Sequence, residues 1–153
     1  MDIEEEFKKL VTNHLEGLNL QFEEELSSVT HQPFPDEVKF LQIEYDSPTF
    51  SDEFSVCLFA MNGEGNLVGS VYWFLKDKTV VVLPEIYESE KYKEIEPWGV
   101  ASNILESWLI NRWANAGNAN YPTYLSHHDS YFMRNIANGT NTNLDKVLET
   151  ENG

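Results

Sequence analysis

The sequence predicts an α+β fold: a four-stranded antiparallel meander preceded by a long N-terminal helix and followed by two helices packed on the sheet. Three observations carry this. Residues 2–29 repeat apolar side chains at steps of three and four. Residues 39–83 break into short apolar runs separated by turn-forming Gly, Pro, Asn and Asp. From Pro97 onward the helical spacing returns.

In the N-terminal stretch Ile3, Phe7, Leu10, Val11, Leu15, Leu18, Phe22, Leu26 and Val29 share one face. Asp2 and Glu5 have the spacing of a capping box, and Glu4, Glu5 and Glu6 suit the positive end of the helix dipole. Gly17 and Asn19 weaken the middle, so a bend there is compatible with the pattern. His14 lies on the apolar stripe and reads as a core-edge histidine. The segment "THQPFPDE" then breaks the helix with two prolines.

Strands are expected over residues 39–45, 54–61, 67–75 and 79–83, and short connections between them favour antiparallel pairing. "NGEGN", the second connection, reads as a hairpin turn. As a phosphate loop it has the wrong glycine spacing, and a strand follows it, not a helix. After the acidic connection "PEIYESEKYKEIEP" a helix starts near Pro97, a residue suited to the first turn, and stops at Gly117. A shorter helix is expected from His127 to about Asn138. The chain reads as a single domain, 1–153, with 139–153 a polar C-terminal segment in which "NLDKVLE" has the pattern of a last turn or short helix.

The totals restrict function. The chain has 153 residues, Lys+Arg 10 and Asp+Glu 26, for a formal charge of −16. Such a surface repels nucleic acid backbones and anionic lipids, and it favours a basic partner. Arg112 and Arg134 are the sole arginines, which leaves few forks for phosphates. No apolar run is long enough to span a bilayer. The opening "MDIEEEF" lacks a signal-peptide pattern, and Cys57 is the single cysteine, inside an apolar run. A cytoplasmic location is the expectation. No cofactor or metal is implied.

Two stretches carry candidate chemistry. "YPTYLSHHDSYF" sets His127, His128 and Asp129 side by side. Adjacent histidines diverge on a strand or a helix, so they seldom share one metal. A helix start explains the stretch better, with Ser126 as N-cap and Asp129 returning to the cap. An acid–base pair in which Asp129 orients His127 or His128 is the alternative, and would make the protein a small enzyme.

The second stretch is the acidic connection. Its carboxylates Glu85, Glu88, Glu90, Glu94 and Glu96 interleave with Tyr87, Tyr92 and Trp98. Aromatic anchors among carboxylates suit a Lys/Arg-rich protein surface. In size, acidity and lack of a catalytic signature the chain resembles, in general build, the immunity proteins that block bacterial toxins. That resemblance is one of type and implies an inhibitor masking a basic toxin such as a nuclease. The 67–75 run is apolar on both sides, with Val71, Trp73 and Leu75 against Tyr72 and Phe74, and a homodimer that buries this aromatic sheet face is the third expectation.

Overall fold

The computed structural model describes residues 2–46, 54–81, 84–87, 89–128 and 130–152. Two helices open the chain, α1 (Ile3–Glu16) and α2 (Asn19–Thr30), where one long helix is the sequence expectation. The Asp2 side chain caps α1 by accepting from the Glu5 N–H at 2.7 Å. At the break the Leu18 N–H reaches only three residues back, to the Leu15 carbonyl at 2.9 Å, and the helix restarts at Asn19. Phe7, Val11 and Leu15 on α1, with Phe22, Leu26 and Val29 on α2, are buried. His14 sits at the core edge, its Nε2 2.7 Å from the Thr79 carbonyl oxygen.

The strands are β1 (Phe40–Asp46), β2 (Ser55–Met61), β3 (Tyr72–Trp73), β4 (Thr123–His127), β5 (Phe132–Asn135) and β6 (Asn141–Asn143). They form one six-stranded sheet in the order β3-β2-β1-β4-β5-β6. The expected four-stranded antiparallel meander is therefore corrected to a mixed sheet. β1 pairs antiparallel with β2, but its other neighbour, β4, runs parallel to it.

Each departure has a local cause. The run 67–75 contributes one bridge, Leu67 to Met61, and the two residues of β3. Val68 N and Phe74 N still donate to the Ala60 and Val56 carbonyls, and beyond them Leu75 turns into the left-handed region at φ 54°. Residues 79–81 form no strand. Val80 and Val81 are buried without regular pairing, and 82–83 lie outside the described residues. Instead of a helix at 127–138 there is the end of β4, a turn, and β5. Tyr124, Leu125 and Ser126 are buried in succession, as a central strand with cover on both faces requires. The 62–66 turn is as read: the Asn62 side chain accepts from Glu64 N and Asn66 N, both at 2.9 Å, and Gly65 takes φ 85°.

A four-residue helix, α3 (Pro84–Tyr87), and a 3-10 helix (Glu90–Ile95) lead to α4 (Pro97–Ala116). α4 packs against both α1 and α2. These three helices cover the front face of the sheet, where Leu41, Ile43, Leu58, Ala60 and Leu125 meet Leu105 and Leu109 of α4. Burying each large side chain contributes roughly 1.5–3 kcal/mol. The last helix, α5 (Leu144–Asn152), follows β6 directly and covers part of the back face. There Val147 packs with Phe40, Met61, Tyr124 and Met133. Residues 141–152 are thus strand and helix: α5 is the short helix that "NLDKVLE" suggests, and β6 stands where the sequence reading has a polar loop.

Candidate functional site

The acidic connection comes first, because charge and aromatic rings coincide there in the sequence. Tyr87 and Tyr92 are each about 5% exposed. Tyr87 stacks on Trp98 with centroids 4.0 Å apart, and Phe7 of α1 meets the rings of Tyr87 at 5.8 Å and Tyr92 at 5.1 Å. These rings fasten the connection to α1, so they are not anchors for a partner. The reason is ordinary: aromatic side chains bury the largest apolar area, and this segment crosses the core. Glu85, Glu90, Glu94 and Glu96 are exposed, Trp98 is half-buried, and Glu88 lies outside the described residues. Glu96 also takes the left-handed conformation, φ 53°, as the chain turns into α4. The connection therefore offers carboxylates without exposed tyrosine rings.

One cation of the connection is already engaged. Lys91 Nζ lies 2.5 Å from Glu6 Oε1 and 5.6 Å from the centre of the Tyr92 ring. The hydrogen bond from Lys91 holds the Glu6 carboxyl below its usual range. Both arginines are tied to helix glutamates, Arg112 to Glu23 at 3.5 Å and Arg134 to Glu106 at 2.9 Å.

The histidine stretch sits at the end of β4. Pairing in register puts His127 opposite Tyr45 and Ser126 opposite Glu44. The two histidines consequently diverge. The His127 ring meets Tyr45 edge-on at 5.1 Å on the front, whereas His128 Nδ1 lies 2.5 Å from Glu44 Oε1. Ser126 caps no helix. It is buried on the back face, and its hydroxyl accepts from Gln42 Nε2 at 3.1 Å. Asp129, the third member of the acid–base alternative, lies outside the described residues. What the front face does assemble is a cleft of about 160 Å³ where Tyr45, Glu106, His127, Phe132 and Arg134 meet. Tyr45 Oη donates to Glu106 Oε2 at 2.7 Å. Burial, and then the bond to Glu106, push the Tyr45 hydroxyl well above its ordinary pKa.

The turn beyond the histidines is the part that sequence reading missed. Tyr131 is 58% exposed and Phe132 67% exposed, and their rings meet edge to face at 5.5 Å. Hydrogen bonds hold the described residues on either side of them. Ser130 N donates to the His127 carbonyl at 3.0 Å, and Ser130 Oγ accepts from Phe132 N at 3.2 Å. Tyr131 Oη donates to Asp145 Oδ2 on α5 at 3.0 Å. The one usable signal was the pair "YF" after a serine, which the helix reading of 127–138 left unassigned.

Other groups are structural. Burial pushes the Cys57 thiol up to about 12, with Glu44 and Asp46 adding to the effect, so it is no thiolate nucleophile near neutral pH. Among the described residues no three His, Cys, Asp or Glu side chains gather as a metal site, and no helix is long and apolar enough to cross a membrane. No protein family matches the sequence, and comparison with curated proteins and with solved structures finds no match either.

Proposed function

We propose that this chain is a cytoplasmic, acidic binding protein that neutralises or masks a basic protein partner, in the manner of an immunity- or antitoxin-type inhibitor of a toxin such as a nuclease. One observation carries the reading: a formal charge of −16, of which the few cations hide little. Lys91, Arg112 and Arg134 are spent on ion pairs within the chain, and Glu4, Glu24, Glu37, Glu64, Glu90 and Glu94 stand exposed. Opposite charge speeds encounter with a basic surface, and salt removes the advantage. The test is to co-express the chain with the products of the genes beside its own. A basic product should co-purify with it and lose activity, and the complex should weaken at least tenfold on raising salt from about 50 to 500 mM. A complex indifferent to salt, or a partner that is itself acidic, would sink the reading.

A second reading, a small enzyme centred on His127, has the front-face cleft in its favour. There His127 lies beside Tyr45, which is hydrogen-bonded to the Glu106 that also holds Arg134.

A further inference from the structure

The aromatic anchors expected at the acidic connection are buried, so a binding protein of this kind needs others. The described residues offer one pair of large, adjacent, exposed rings, Tyr131 and Phe132, at 58% and 67% exposure. Two such rings side by side are costly to leave in water, and hot spots at interfaces are built from residues of this type. Mere looseness does not explain their exposure. Ser130 bonds pin the turn, Asp145 holds the Tyr131 hydroxyl, and the rings fix each other edge to face. A preorganised pair loses little entropy on docking.

We propose that the turn between β4 and β5 is the docking knuckle for the basic partner, with Tyr131 and Phe132 entering an apolar recess on that partner. This rests on the acidic-binder reading above. The surroundings select the occupant. Asp145 touches Tyr131, so a carboxylate borders the rings on the α5 side, and on the cleft side Arg134, which borders Phe132, is paired with Glu106. A lysine or arginine beside the partner's recess would meet the Asp145 carboxylate. A second copy of this chain is disfavoured, because each copy brings a charge of −16.

The test starts by capturing, on immobilised full-length chain at low salt, proteins from the cells that make it. The dominant captured protein is purified, and its affinity is measured for the wild type and for two variants. One is the double variant Tyr131→Ser/Phe132→Ser, and the other is Leu20→Gln, at an exposed apolar position on α2. Exposed positions tolerate these changes, and thermal melting checks that both variants fold. The proposal expects a basic captured protein, a loss of at least tenfold with the knuckle variant, and a change of under about threefold with the other. A basic protein bound equally well by the knuckle variant would overturn the knuckle and leave the acidic-binder reading standing. Capture of nothing, or of an acidic protein, would overturn both. Sedimentation of the wild type adds a further outcome: a dimer that the knuckle variant dissolves would make the rings a self-association surface and overturn the proposal.

Discussion

Glu25 shows how a charge can be local structure instead of surface. Its Oε1 accepts from Tyr72 Oη at 2.8 Å and from Leu75 N at 3.2 Å, and its Oε2 accepts from Gln21 Nε2 at 3.2 Å. It thereby holds the left-handed Leu75, φ 54°, where the chain leaves β3. Burial, and then the bond and charge of Glu25, push the Tyr72 hydroxyl up to about 12 from 10.0. The sign follows. Tyr72 is protonated and hydrogen-bonded in the fold, so its contribution is fully present below pH 10 and is lost as pH rises through about 12. Glu25→Ala should bring the Tyr72 titration, followed by ultraviolet absorbance, down toward 10.0. It should also cost about 2–3 kcal/mol in urea unfolding at neutral pH, the usual range for removing a charged acceptor from several donors. A Tyr72 titration unmoved by the substitution would contradict this account.

Helix ends and strand faces separate what was legible in the sequence from what was not. α4 was readable at both ends, from Pro97 in its first turn to Gly117 after its last. Gly117 is needed for space, since its backbone is extended (φ −77°, ψ 166°). A Cβ there would stand 2.4 Å from Trp113 Cδ1, and that indole is buried. Gly117→Ala should therefore destabilise the protein by about 1–3 kcal/mol, measured by urea unfolding, while leaving exposed-site variants near wild type. β1 and β2 were legible from alternation and from the turns around them. β4 was not. Its residues are buried on both faces, so Thr123 to Ser126 show no alternation, and Ser126 beside two histidines imitates a helix cap. The N-terminal pattern showed the stripe and, in Gly17 and Asn19, the place of a bend, but one long helix and two were both compatible with it, because the stripe continues through Leu15 and Leu18 on either side. The candidate site failed for a related reason. Sequence places rings and carboxylates in one stretch but cannot say which rings turn inward, and Phe7, distant along the chain, decides that for Tyr87 and Tyr92.

At the scale of the whole molecule, charge opposes the fold it decorates. With 26 acidic residues against 10 basic ones, self-repulsion favours expansion, and added salt screens it. Melting temperature should rise by about 2–4 °C between about 20 and 500 mM sodium chloride, the size of shift that roughly 1 kcal/mol produces in a chain of this length. A melting temperature flat or falling with salt would show that the carboxylates are spaced too widely to repel one another appreciably. The same salt series should loosen the complex with a basic partner, so stability and affinity are expected to move in opposite directions. The parallel pairing of β1 with β4 has a consequence for the order of assembly. It divides the sheet into two antiparallel triplets, β3-β2-β1 and β4-β5-β6, each built from neighbours along the chain. Either triplet can zip up by short-range steps. The seam between them closes only after α4 has carried the chain back across the front face, so it bears most of the loop-closure entropy. Tyr131 and Phe132 belong to the second triplet, so local pairing can fix their rings in place before the two halves have joined.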